Sequence, residues 1–226
     1  MFKNWKCYER FYYIGSMALL IGLSLIYHSA FLSLLAALTG ITAVMFNMKA
    51  QKICFVMYLI QCFIYTYIAY QEKFYGEVIR NVFFSIPVYL WSIIQWIRAT
   101  HEVEKETIFT ISSRAFIFFI IIIAAGTMAY GYGLSLFGTA QPYLNSLATL
   151  LVMTGTYMAG QSIKQQWYLW TVYCVVMFAM WYTTIIVNGP TQLPLLIQNI
   201  LFFGLNVQGI FTWERLAKQQ GERLLY

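Results

Sequence analysis

LTGITAVMFNMK (38–49) returns as MTGTYMAGQSIK (153–164): Thr39-Gly40 and Lys49 match Thr154-Gly155 and Lys164 at a constant offset of 115. Farther on, IIQWIR (93–98) resembles IFTWER (210–215), which pairs Trp96 with Trp213 and Arg98 with Arg215 at an offset of 117. The two extra residues fit in the intervening loops. Either match alone is weak among apolar residues. Together, with matching segment boundaries, they point to a duplicated three-helix unit.

What kind of unit follows from composition. Of 226 residues, 61% are hydrophobic and 10% charged, and the mean hydropathy is +0.66. A soluble domain carries about 25% charged residues, and no soluble core of this size hides so much apolar surface. The chain therefore reads as an all-α integral membrane protein. A bilayer core needs about 20 apolar helical residues, and eight segments fit: 11–28, 30–48, 53–70, 77–98, 115–137, 143–163, 166–187 and 195–217. Such continuous apolar runs contradict the alternating ~10-residue strands of a membrane barrel. Only 99–114, with Glu102, Glu104, Lys105 and Glu106, makes a polar loop of any size.

Charge orients the spans. Twelve of the fourteen Lys and Arg fall on one side: Lys3, Lys6, Arg10, Lys49, Lys52, Arg98, Lys105, Arg114, Lys164, Arg215, Lys218 and Arg223. The other side holds Lys73 and, at a helix start, Arg80. Lys and Arg accumulate in cytoplasmic loops, so both termini are expected in the cytoplasm. Lys49 and Lys164 then lie on the same side, and the two units share one orientation. Parallel copies of an odd number of spans need one helix between them, and 115–137 supplies it.

The expected layout is SWEET-like, 3+1+3. An N-terminal stretch and extra helix (1–29) precede repeat A (30–98); a cytoplasmic loop and linker helix (99–142) lead to repeat B (143–217) and a tail (218–226). Parallel repeats related by an axis along the membrane normal are a transporter arrangement, with the substrate site between the repeats near the midplane.

Several functions are excluded. The net charge of +6 is spread between apolar segments, without a basic patch for nucleic acid. Cys7, Cys54, Cys62 and Cys174 have no metal-ligand spacing, and no cofactor or metal is expected. Basic residues precede the first apolar stretch without an A-x-A-type cleavage site, which reads as a retained signal anchor. HExxH, GxSxG and paired carboxylates are absent from the sequence, so no enzyme activity is expected. Glu77 and Glu214 stand at span ends, and neither His28 nor His101 is central. Ion coupling commonly uses an intramembrane acid or broken helices; its absence favours passive, facilitated transport.

Polar residues at membrane depth face protein or a water-filled path. Segment 77–98 places Asn81, Ser85, Ser92 and Gln95 on one stripe, with Tyr89 one turn beyond Ser85 and Pro87 interrupting the ladder. Segment 195–217 carries Asn199 and Asn206 on one face, flanked by Gln198 and Gln208. Tyr58, Gln61 and Tyr65 share a face in 53–70, as do Asn145, Thr149 and Thr156 in 143–163. The alternative use of such residues is to glue helices together at roughly 0.6–2 kcal/mol per hydrogen bond. Segment 166–187 adds Trp167, Trp170, Cys174 and Trp181 on one stripe. Trp167 alone suits an interfacial belt. Trp170 lies deeper, and an indole there offers a stacking face to a flat aromatic ligand. Stacking beside neutral amides describes a nucleoside-like or vitamin-like solute. The two bundles are expected to rock about a site between 53–98 and 166–217.

The tryptophan pair in QWYLWTVYCVVMF (166–178), the ending NVQGIFTWER (206–215) and the three-one-three layout resemble the PnuC family of bacterial nicotinamide riboside transporters, over roughly residues 30–217. The resemblance implies a facilitator in the bacterial inner membrane that serves NAD biosynthesis, with vitamin uptake drawn by intracellular phosphorylation. It also implies a homotrimer, and ligand contacts at Trp167 and Trp170. Seven residues after the first tryptophan, where the family often has Asn or Asp, stands Cys174. A thiol is a poor hydrogen-bond partner, so either Tyr173 or a neighbouring amide compensates or the solute differs. The candidate site is thus Trp167, Trp170, Tyr173, Gln61, Asn81, Tyr89, Gln95, Asn199 and Asn206. The alternatives are a transporter for a related vitamin such as thiamine, or a non-transporting membrane scaffold.

Overall fold

The structure, a computed structural model, describes residues 7–28, 30–48, 53–98, 108–161, 163–221 and 223–225. Lys3, Lys6, Lys49, Lys52, Lys105 and the loop carboxylates Glu102, Glu104 and Glu106 lie outside the described residues, as does the side chain of Arg98. Helices α1 (Cys7–Ile26), α2 (Phe31–Met48) and α3 (Cys54–Gln71) follow one another closely. The next span is interrupted: α4 (Tyr75–Arg80) passes into a π-helical turn (Asn81–Ser85) before α5 (Ile86–Arg98). Pro87 explains the break, because it has no N–H to donate and its ring collides with the carbonyl one turn back. After β1 (Phe109–Thr110) come α6 (Ser113–Leu136), α7 (Pro142–Gly160), α8 (Gln166–Asn188), α9 (Leu193–Gln219) and β2 (Arg223–Leu224). Ser112 caps α6 by accepting the Ala115 N–H at 3.2 Å. Pro142 and Pro194 open α7 and α9 in first-turn positions, where the missing donor costs nothing.

Among the described residues, seven helices are long and apolar enough to cross a membrane. The expected eighth span, 143–163, forms α7 but falls below that apolarity. Its polar residues Asn145, Ser146 and Thr149 are buried in protein, where lipid-like character is not required. Large apolar side chains elsewhere, among them Phe11, Phe83, Phe118, Ile121, Val187 and Phe211, are exposed, as a lipid-facing surface requires. Together these features describe a multi-pass membrane protein.

Within the first group of helices α2 packs on α3, and α3 on α4 and α5; within the last, α7 packs on α8 and α8 on α9. The groups meet reciprocally, α2 against α9 and α4 against α7, while α6 lies along α7 and α1 bridges α2 and α9. One core cluster centres on Trp181 with Phe74 and Met180, the other on Phe46 with Ile41 and Leu205. The chain is all-α apart from one short pairing. Strand β1 pairs in parallel with β2, and Phe109 bridges Ile163, because this irregular segment must place its backbone groups somewhere.

The end of the molecule near Lys73 is cross-linked by hydrogen bonds. Glu72 accepts hydrogen bonds from Asn188 Nδ2 and Gln192 Nε2, each at 3.0 Å, and Ser33 donates to Gln192. The Ala140 N–H donates to the Lys73 carbonyl at 3.0 Å.

Candidate functional site

One cavity of about 240 Å³ opens among α2, α3, α5, α7, α8 and α9. It begins at the helix ends bearing Asn47, Phe55, Ala159 and Trp213, and it reaches inward to Tyr65, Arg80 and Asn81. Small-molecule sites typically run ~300–1,000 Å³, so this space suits one ring and one sugar better than a dinucleotide.

Seven of the nine candidate residues line it: Gln61, Asn81, Tyr89, Trp167, Trp170, Tyr173 and Asn206. Asn199 does not. It is buried, and its Nδ2 donates to the Leu195 carbonyl of its own helix at 2.7 Å. The side chain of Gln95 lies outside the described residues. Of the other striped residues, Tyr58, Tyr65, Ser85, Ser92, Thr156 and Cys174 also reach the cavity. Asn145 instead accepts the Glu77 N–H at 3.1 Å, tying α7 to α4.

The aromatic wall depends on two absent side chains. Trp167, 2% exposed, lies flat on Gly209 of α9, where a built Cβ would sit 2.5 Å from the indole Cδ2. Trp170 is half-buried and rests on Gly155 of α7, where a Cβ would approach the ring to 3.1 Å. Trp213 meets Trp167 edge-on at 5.8 Å, and Tyr173 meets Trp170 edge-on at 6.1 Å. Trp167 is therefore no belt residue. Trp181, on the same sequence stripe, leaves the cavity altogether and packs edge-on against Phe74 at 5.1 Å.

The polar wall faces it. Tyr58 and Tyr89 stack at 5.3 Å, with Asn47 Nδ2 donating to the Tyr58 hydroxyl at 3.4 Å. Asn81 Nδ2, Gln166 Nε2 and Trp167 Nε1, on residues that line the cavity, are buried without a protein partner. All three can donate, so a ligand acceptor that reached them would satisfy them. Asn206 Nδ2 donates to Cys174 Sγ at 3.2 Å, which sets a neighbouring amide beside the thiol.

Arg80, Asn47 and Gln166 were not among the candidates. Arg80 reads in the sequence as an orientation charge at a helix start, yet it is 7% exposed and paired with a fully buried Glu77 at 2.8 Å. Spacing alone held the clue: Glu77 and Arg80 stand three apart inside an apolar segment, and intramembrane ionisable residues usually face a functional interior.

A family model described as "nicotinamide mononucleotide transporter" matches residues 30–215. A nicotinamide riboside transporter PnuC of Neisseria mucosa is 25% identical over 224 residues, covering 97% of this chain and 85% of that protein. One of Haemophilus influenzae is 20% identical over 193 residues, covering 84% and 82%. A crystal structure of the vitamin B3 transporter PnuC shares the fold, with a TM-score of 0.82, 24% identity, and coverage of 96% of this chain and 95% of that one.

Proposed function

Because the chain belongs to the nicotinamide mononucleotide transporter family, we propose that it carries nicotinamide riboside across the bacterial inner membrane by facilitated diffusion. The observation that carries this reading is the convergence of Trp170 and three buried, unpartnered side-chain donors on one cavity. The ligand's flat cationic ring stacks on an indole face, where cation–π attraction adds to burial. Its carboxamide and ribose oxygens accept from Asn81, Gln166 and Trp167, while Gln61 and Asn206 bracket the sugar.

Alternating access follows from the reciprocal packing. The helices fall into two units of three spans each, α2, α3 and the interrupted α4–α5 in one and α7, α8 and α9 in the other, with α6 as linker and α1 as an added helix; α7 spans the membrane with the rest. The cavity opens at the end bearing Lys164 and Arg215, which the positive-inside rule assigns to the cytoplasm with both termini. The Glu72 cluster closes the opposite end. Rocking one unit against the other reverses which end is open, and phosphorylation inside the cell draws net uptake. The protein works as a homotrimer.

Cys174 beside Asn206 favours one second reading, a carrier of a related vitamin such as thiamine. Uptake of labelled nicotinamide riboside into vesicles holding a riboside kinase and ATP separates them. Accumulation is expected; its absence, with labelled thiamine accumulating instead in vesicles holding a thiamine kinase, would overturn the riboside reading.

A further inference from the structure

Among the described residues, Arg80 is the one charged side chain on the cavity wall. Its Nη2 donates to Glu77 Oε2 at 2.8 Å, and Glu77 is itself completely buried. The pair sits at the inner end of the cavity. Tyr65, Tyr173 and Cys62 surround the guanidinium, while Tyr65 and Thr149 face the carboxylate. Arg80 Nε has no partner, although it is buried. An unaccompanied guanidinium there would be a ready phosphate site, because its planar fork matches phosphate oxygens. Burying two ions is expensive, and a membrane core offers no general reason to keep them, since apolar replacements are often as stable.

Resting on the riboside reading, we propose that Glu77 is a charge selector: by neutralising Arg80 it keeps the cavity end without net charge and bars phosphorylated solutes. The riboside, a cation without phosphate, is admitted. The mononucleotide, bearing a phosphate with roughly −1.5 to −2 charge at pH 7, meets a guanidinium already spoken for by a carboxylate that repels it. A facilitator drawn by phosphorylation needs this asymmetry, since a carrier that accepted the phosphorylated product would let it escape.

The test is ligand-induced thermal shift and tryptophan fluorescence on the purified full chain, with nicotinamide riboside and nicotinamide mononucleotide as probes. Wild type is expected to bind only the riboside. Glu77→Gln should gain mononucleotide binding by about tenfold or more, the scale of one hydrogen bond to a charged group, and Glu77→Gln/Arg80→Gln should lose that gain again. A Glu77→Gln protein that responds to riboside but not to mononucleotide would overturn the selector while leaving the riboside reading intact. Wild-type protein that ignores the riboside would instead sink the reading beneath it. Should Glu77→Gln not fold, Glu77→Ser decides, because the room it leaves admits water to the guanidinium. It too frees the guanidinium and should gain mononucleotide binding by about tenfold, and an unchanged mononucleotide affinity overturns the proposal.

Discussion

On the α4–α5 side of the cavity, Asn81, Ser85 and Tyr89 face inward from a helix whose ladder widens ahead of Pro87. On the α8 side, Trp167 and Trp170 face inward from an unbroken helix and lie on Gly209 and Gly155 of its neighbours. The first wall bends its own backbone to aim small polar groups. The second keeps its backbone regular and borrows room from adjacent helices to seat large rings. A polar wall of this kind leaves donors unsatisfied until a ligand arrives, whereas an aromatic wall is already packed on one face and offers the other.

That difference ranks the expected effects. Filling a seat should do most harm. Gly209→Val drives a side chain into Trp167, and overpacking costs about 1–3 kcal/mol in stability. Because the whole ring must shift, riboside affinity is expected to fall at least about a hundredfold, about 2.7 kcal/mol, by fluorescence titration. Undiminished affinity would show that the seat positions nothing that the ligand touches. Removing a ring comes next. Trp170→Ala should weaken affinity by roughly 1–3 kcal/mol, the scale of aromatic–base stacking, about 5- to 150-fold in Kd. The melting temperature of the unliganded protein should barely move, since the half-buried indole gives up one contact face. A large loss of stability at constant affinity would make Trp170 a packing residue.

The smallest effect belongs to the polar wall and separates ligand contact from helix glue. Asn81 Nδ2 has no protein partner, so Asn81→Ala removes no internal hydrogen bond from that atom. Affinity should fall by about 0.5–1.5 kcal/mol with stability unchanged or improved. Asn199, bonded to its own helix, should show the reverse in the same pair of measurements. If Asn199→Ala lowers affinity as much as Asn81→Ala, the contrast between them fails.

Much of this was legible beforehand because helical periodicity carries over directly to helices that pack without distortion. The segments 30–48, 53–70 and 166–187 reappear as α2, α3 and α8 within two residues at each end, and Tyr58, Gln61 and Tyr65 share the cavity as their spacing implied. Where legibility failed, a partner inside the protein took the residue from the cavity. Asn199 and Asn206 sit on one helical face, yet only Asn206 meets the cavity; Asn199 Nδ2 turns back to the Leu195 carbonyl of its own helix, and face position alone does not say which way an amide turns. Trp181 likewise shares a stripe with Trp167 but is captured by Phe74, a residue far away in sequence. Arg80 escaped notice because charge near a segment end reads as a loop feature, and only its pairing with Glu77 turns it inward. Segment 143–163 reappears as α7, less apolar than the other spans because its polar residues Asn145, Ser146 and Thr149 are buried against protein.

The short pairing of β1 with β2, with Leu225 N–H donating to the Thr110 carbonyl at 2.9 Å, belongs to neither wall. It fastens the start of the linker helix to the tail beyond α9. Gln220 Oε1 also accepts the Ile108 N–H at 2.8 Å, and Gln165 accepts the Ile111 N–H at 3.3 Å. These clasps make α6 a passenger of the C-terminal bundle. A protease cut or a bulky fusion at residues 223–225 would therefore loosen the coupling of linker to bundle, and so disturb the cycle from a place no solute ever visits.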